Sequence, residues 1–352
     1  MTKKDASGKT FCMTKYENMP LRPELLVCPH CDGKSNGRIG VHSQKERRYK
    51  CHGCGKTFSD SYGTPFYDLK MPQWVVTLVL TLLAYGCPLP AIVAAFELDE
   101  RTVSDWQEKA GVHAKGVQEA LVCNGQVELG QVQGDEFYTK TQCGAVWIAT
   151  AMCVFSRLFL WGAVSVERNG ALVTEVVEHV KAAAVPNQPV LWATDGFRAW
   201  AGAILTVFRT PVYTGNRGRP RLQLWPDLHI VQVVKRYRGR WVTAVERRLL
   251  HGSQHAAEEL VAVTQVGIGV FNTAYIERLN ATFRTWIPAT TRKTRTPAAR
   301  RRRLEAALFW TAVVYNFCHV HASLQATPAM AAGLTDSVWS IDQLLRYRLH
   351  RE

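Results

Sequence analysis

The chain contains no apolar run long enough to cross a bilayer. The longest, Trp74 to Cys87, is interrupted by Thr77 and Thr81 and falls short of the ~20 apolar residues a spanning helix requires. Its first residues, Met1-Thr2-Lys3-Lys4-Asp5-Ala6-Ser7-Gly8, are polar with no apolar stretch behind them, so no secretory signal is expected. Internal repeats and long low-complexity segments are also lacking, which argues against solenoid and disordered architectures. Acidic residues are scarce: 29 Asp and Glu stand against 43 Lys and Arg, a net charge of +14 with a pI near 9.4. That balance favours a polyanionic partner. Of the ten cysteines, Cys12, Cys87, Cys123, Cys143, Cys153 and Cys318 are scattered, as reduced thiols are in a cytoplasmic protein with no membrane association.

At 352 residues, 47% of them hydrophobic, the chain predicts two or three domains with sizeable cores. The remaining cysteines form two pairs, Cys28-Pro29-His30-Cys31 and Cys51-His52-Gly53-Cys54. Paired C-x2-C knuckles at this separation fit a four-cysteine zinc ribbon over residues 22–60. Gly33 and Gly55 lie where the backbone must turn. Residues 38–50 are too polar to fold without the metal. Four thiolates complete a tetrahedron, leaving His30 and His52 as bystanders.

From Met71 the pattern becomes helical. Trp74–Tyr85 reads as a buried helix stopped by Gly86 and Pro88, and Pro90–Phe96 as a second. A third starts at Asp99 or Glu100 and is expected to end before Gly111. Two short helices joined by a tight turn resemble a helix-turn-helix over 70–115, with Arg101, Ser104 and Gln107 as the candidates for reaching base edges. A plain helical hairpin is the competing explanation.

Strand-like runs follow at 126–140, 145–154 and 158–166, then a helix at 170–184, a short apolar strand at 189–194 and a further helix. This order predicts a mixed α/β domain over 125–330. Within it, a basic insertion is expected at about 214–250, carrying Arg217, Arg219, Lys235, Arg236, Arg238 and Arg240. Tyr237 interleaves with the last of these, as suits a surface that tracks a nucleic-acid backbone. Arg292 and Arg295 open a second basic run that ends in Arg300–Arg303. Residues 331–352 read as a tail.

Three acidic residues occupy distinct settings: Asp135 within a strand-like run, Asp195 at the end of one, and Glu277 on a helix. Asn280 and Arg284 share the Glu277 face at i+3 and i+7. Carboxylates gathered in one place repel unless a divalent cation neutralises them, and hard oxygen ligands suit Mg²⁺. Paired metals of this kind drive displacement at phosphorus. Asp227 and His229 are the rival candidates.

The order Cys28–Cys54 ribbon, helix-turn-helix, Gly134-Asp135-Glu136, Thr194-Asp195-Gly196 and Ile276-Glu277-Arg278-Leu279-Asn280 with Arg284 resembles bacterial insertion-sequence transposases of the group related to insertion sequence one. The similarity spans about Cys28 to Thr327. It implies a ribonuclease-H-like catalytic domain in which two Mg²⁺ or Mn²⁺ ions are bridged by Asp135 and completed by Asp195 and Glu277. It also implies double-stranded DNA partners, both element ends and target, and a nucleoid-associated place in a bacterial cell. Joining two ends requires two active sites, so a homodimer or larger homo-oligomer is expected. The alternatives are a domesticated DNA-binding regulator without catalysis, and a structure-specific nuclease or resolvase of the same fold.

Overall fold

The computed structural model describes residues 21, 23, 26–31, 38–213, 218–265 and 269–349. Cys12, Gly33 and Arg217 lie outside them. The chain divides into two compact units, Met1–Val79 with Leu345–Glu352, and Leu80–Leu344.

In the first unit, β1 (Ile39–Ser43), β2 (Arg48–Cys51) and β3 (Thr57–Ser59) form an antiparallel sheet in sequence order. Its core is small: Leu21, Cys28, Tyr49, Cys51 and Phe58. Asp60 accepts from Arg47 Nη2 at 2.9 Å and from the Tyr49 hydroxyl at 3.1 Å. Arg348 Nη2 donates to the Asp60 carbonyl at 2.7 Å, so this part of the segment expected as a tail is fastened beside the sheet.

Helix α1 (Gln73–Ala84) leads into the second unit, where α2 (Leu89–Phe96) and α3 (Glu100–Leu121) follow. Asp99 caps α3, its carboxylate accepting the N–H groups of Arg101 and Thr102, as an N-cap residue should. The helix does not stop at Gly111. It runs on to Leu121, 22 residues in all, with Val103, Trp106, Ala110, Ala114 and Val117 forming one buried stripe. Gly111 serves close approach: a Cβ there would lie 2.2 Å from the Ala306 carbonyl oxygen of the facing helix.

The sheet of this unit has six strands in the order β11-β10-β7-β4-β5-β6. β4 (Gly130–Thr141), β5 (Gly144–Cys153) and β6 (Phe159–Ser165) make an antiparallel meander, followed by α4 (Gly170–Ala183). β7 (Val190–Thr194) then pairs parallel with β4. Every residue of β7 is buried, which explains its unbroken apolar sequence. After α5 (Ala199–Val207), β8 (Arg209–Val212) and β9 (Arg221–Leu224) form a separate ribbon. β10 (Leu228–Arg238) pairs parallel with β7, and β11 (Trp241–His251) returns antiparallel along β10. The expected basic insertion thus includes two strands of the main sheet, because Leu228–Val233 is apolar enough to be buried beside β7.

Helices α6 (Gln254–Thr264) and α7 (Ala274–Trp286), a 3-10 turn at Pro288–Thr290, and α8 (Arg301–Phe317) complete the layers, with α9 (Pro328–Ala331) and α10 (Ile341–Arg346) after them. α8 is buried nearly all round, since α3 packs on it and β6 and α7 also contact it. Leu344 is fully buried and its carbonyl lies 3.1 Å from His113 Nε2; here too the segment expected as a tail is packed. Among the described residues, no helix is long and apolar enough to cross a membrane.

Candidate active site and metal sites

Alternate residues of β4 build the site on the two faces of the sheet. On one face, Gln133 Oε1 accepts the N–H groups of Tyr275 at 3.1 Å and Ile276 at 3.0 Å, two donors that the first turn of α7 would otherwise leave unpaired. Gln133 Nε2 donates to the Asn272 carbonyl at 2.7 Å. The helix is thereby laid along the strand. Four helical residues advance ~6 Å and two strand residues ~6.6 Å, so fixing Ile276 over Gln133 brings Asn280 over Asp135. Asn280 Nδ2 donates to Asp135 Oδ2 at 3.0 Å, and its Oδ1 accepts from Thr150 Oγ1 of β5 at 2.7 Å.

On the other face, Gly134 lets the Trp200 ring of α5 lie across the strand; a Cβ would stand 2.7 Å from it. Trp200 Nε1 donates to Glu136 Oε2 at 2.8 Å. Arg168, on the loop after β6, takes the other oxygen: Nε donates to Oε1 at 2.8 Å, and Nη2 makes a second bond to it. The same Nη2 lies 3.7 Å from Asp195 Oδ2. The guanidinium sits over the rings of Phe197 and Trp147.

Parallel pairing sets Thr194 opposite Gly134, so Asp195 and Asp135, each the next residue, become neighbours where β7 leaves the core. This is the carboxyl end of the strand, where open α/β sheets place their ligands. Carboxyl oxygens of Asp135, Glu136 and Asp195 lie within 4.8 Å of one another. Burial pushes the Asp135 carboxyl up from its usual 3.8 to about 7, the charges of Glu136 and Asp195 add to this, and the Asn280 hydrogen bond opposes it. Glu136 is also raised, by burial and then by Asp195, against its bonds from Trp200 and Arg168. A divalent cation would relieve both causes, and this oxygen set could hold Mg²⁺.

Glu277 enters the same cleft, of roughly 1130 Å³, together with Asn280, Arg284, Arg292 and Lys235. Its carboxylate is not one of the three clustered groups. Its Oε1 is held by Lys235 Nζ and by Thr273 Oγ1, the latter at 2.6 Å. Glu136 is the cluster member that residue-by-residue reasoning missed. Strand alternation turns it away from Asp135, and only the adjacency of two acids in a buried strand signalled that it needs partners. Asp227 precedes β10 at the opposite end of the sheet, because Leu228 pairs with Val190 and Gln232 with Thr194. His229 is buried, and its Nδ1 accepts the Ser253 N–H at 3.1 Å, a structural bond.

The four paired cysteines converge in the first unit, with Sγ atoms of Cys28 and Cys54 3.6 Å apart and those of Cys31 and Cys51 3.8 Å apart. Tetrahedral zinc with ~2.3 Å bonds to sulfur demands sulfur–sulfur separations of ~3.8 Å. The geometry fits, and this cluster could bind zinc. Backbone N–H groups of Cys54 and Gly53 favour the Cys51 thiolate, whereas burial pushes the Cys28 thiol up. Neither His30 nor His52 joins the cluster.

The expected DNA-contacting residues are dispersed. Arg101 is exposed at the start of α3, whereas Ser104 and Gln107 are half-buried and line a groove of roughly 310 Å³ with Arg295. Further along α3, Asp105 pairs with Arg303 at 3.0 Å and Glu108 with Arg302 at 2.7 Å, so part of the densest basic run is engaged within the unit. Arg219 is exposed. Arg236 Nη2 pairs with Glu246 at 3.3 Å, and Arg238 and Arg240 stand exposed where β10 turns into β11. Comparison of the chain with protein-family models found no match, and comparison with curated proteins found none either.

Proposed function

We propose that this chain is a DNA transposase of the Asp-Asp-Glu type that binds the terminal inverted repeats of its element and performs metal-dependent strand cleavage and strand transfer. The observation that carries the proposal is the meeting of Asp135, on β4, with Asp195, the residue just after the parallel strand β7, in one cleft that also admits Glu277, Arg284 and Lys235. The mixed six-stranded sheet flanked by helices is compatible with a ribonuclease-H-like fold.

Asp135, Asp195 and Glu277 would hold the metals. Two Mg²⁺ or Mn²⁺ ions bound there would activate water for in-line attack at phosphorus and stabilise the leaving 3′ oxygen. Asn280 orients the Asp135 carboxylate, and Gln133 fixes the helix that carries Asn280 and Glu277. Arg284 and Arg292 offer cations to a phosphodiester crossing the cleft. Lys235, by holding Glu277, sets where that carboxylate waits before DNA and metal arrive. The freed 3′-OH then replaces water as the nucleophile on target DNA. Zinc would act structurally in the ribbon, α2 and α3 would select the element ends, and a homodimer would hold two ends together.

The test is cleavage of a labelled DNA fragment carrying the inverted repeat that flanks the reading frame, with Mg²⁺ or Mn²⁺, beside a gel-shift assay. Asp135→Asn, Asp195→Asn and Glu277→Gln should each abolish cleavage and joining while leaving end binding intact, and Asp227→Asn should cleave nearly as the parent does. Full cleavage by all three carboxylate variants would end the enzymatic proposal.

A further inference from the structure

Three carboxylates crowd one end of the cleft, Asp135, Glu136 and Asp195, and one of them already has both oxygens taken. The Glu136 side chain is wholly buried. Its Oε2 accepts from Trp200 Nε1, and its Oε1 accepts from both Nε and Nη2 of Arg168. A metal ion taking a Glu136 oxygen would have to displace one of these charge-assisted bonds. Asp195 is less committed: its Oδ1 accepts the Phe197 N–H at 2.9 Å, whereas its Oδ2 faces Arg168 Nη2 at 3.7 Å, too far for a hydrogen bond. Arg168 is itself held from several sides. Its guanidinium lies 4.3 Å from the Phe197 ring centre and 5.1 Å from that of Trp147. The chain around it is pinned, because Ser165 Oγ accepts the Glu167 N–H at 3.1 Å, Asn169 Nδ2 donates to Glu167 Oε2 at 2.7 Å, and Asn169 Oδ1 caps α4 by accepting the Leu172 N–H at 3.2 Å. Arg168 thus grips the turn after β7 twice, through the Phe197 ring and through the charge of Asp195.

We infer that Arg168 is the positioning residue for Asp195, with Glu136 serving as its anchor rather than as a metal ligand. The inference rests on the proposed DNA-cleaving function and gives a role to the acid of the cluster that this function leaves unused. A fixed cation beside Asp195 weakens the attraction of the cleft for metal ions, but it keeps the carboxylate aimed before they arrive. Partners of metal ligands act on affinity or activity by roughly 10- to 100-fold. Here the two effects have opposite signs, which separates positioning from plain support of the fold.

The experiment titrates Mn²⁺ into the full chain without DNA, reading the free ion by electron paramagnetic resonance, and measures cleavage of the labelled end fragment at saturating Mn²⁺. Arg168→Ala uncovers Glu136 and removes a positive charge. It should bind Mn²⁺ roughly tenfold more tightly than the parent yet cleave about 10- to 100-fold more slowly. Arg168→Lys keeps the charge but not the flat two-donor fork, so its Mn²⁺ affinity should stay near that of the parent while its cleavage falls between the two. Glu136→Gln/Arg168→Ala has the net charge of the parent. Its Mn²⁺ affinity should return to within about threefold of the parent value, and its cleavage should stay low. A double variant that loses Mn²⁺ as Asp195→Asn does would make Glu136 a ligand and overturn the inference. Unchanged or weakened Mn²⁺ binding by Arg168→Ala, the result expected of a side chain that only supports the fold, would overturn it too, as would parental cleavage by that variant. A parent chain that binds Mn²⁺ but cuts no DNA would overturn the cleaving function and this role together.

Discussion

Replacing Asp135 by Asn should stabilise the metal-free protein, by an amount that grows with pH. Asp135 is mostly buried between Glu136, Asp195 and Asn280, and its carboxyl is raised from 3.8 to about 7. At 1.36 kcal/mol per pH unit the difference corresponds to roughly 4 kcal/mol. The sign follows from proton linkage. Below about pH 4 the carboxyl is protonated in both folded and unfolded chains, and the stability associated with its raised pKa is fully present. Between pH 4 and 7 the unfolded chain gives up the proton while the folded chain retains it, so that stability is progressively lost as pH rises through the folded value. Asparagine does not titrate. In EDTA, urea midpoints of parent and Asp135→Asn should therefore diverge from pH 5 to pH 8, the parent falling behind by up to ~4 kcal/mol. Every tryptophan except Trp74 belongs to the unit that contains this site, so intrinsic fluorescence follows its unfolding. Adding Mg²⁺ should then stabilise the parent, by ~2.7 kcal/mol at a hundredfold excess over Kd, and leave the variant nearly unchanged. A gap that stays flat across this pH range, or equal stabilisation of both proteins by Mg²⁺, would refute the placement of Asp135 as a buried carboxylate awaiting a cation.

Cys51→Ser should release zinc, measured by elemental analysis, and unfold the three-stranded sheet while the tryptophan signal of the larger unit persists, because the small core offsets little chain entropy without metal. Gly111→Ala should lower stability by several kcal/mol in urea titration, since its Cβ would meet the Ala306 backbone at 2.2 Å and backbone cannot yield as a side chain can. Gln133→Ala should cost about 1–3 kcal/mol by stripping two N–H groups of α7 of their acceptor. It should also depress cleavage more than end binding, because Asn280 and Glu277 ride on that helix.

Local rules made much of this protein legible from its residues. The C-x2-C pairs declared a four-sulfur cluster because each knuckle is a property of four consecutive residues. Val190–Thr194 declared a buried strand because its apolar run is unbroken, and Asp195 marked its end because a carboxylate does not continue into a core. Asn280 and Arg284 could be placed with Glu277 because helical spacing alone puts them on one face. Tertiary packing decided the rest. Gly111 looked like a helix stop until α8 came close enough to require a missing side chain. The basic run Lys235 to Arg240 reads as part of an insertion, and only the parallel pairing of Leu228–Gln232 with β7 and the return of β11 along β10 make that insertion part of the main sheet. Glu136 joined Asp135 and Asp195 only when Trp200 and Arg168, each more than thirty residues away in the chain, closed on it. Lys235 took hold of Glu277 across a separation of 42 residues. Periodicity reaches a few residues along the chain, whereas the charge and burial of a carboxylate are set by whatever the fold brings against it.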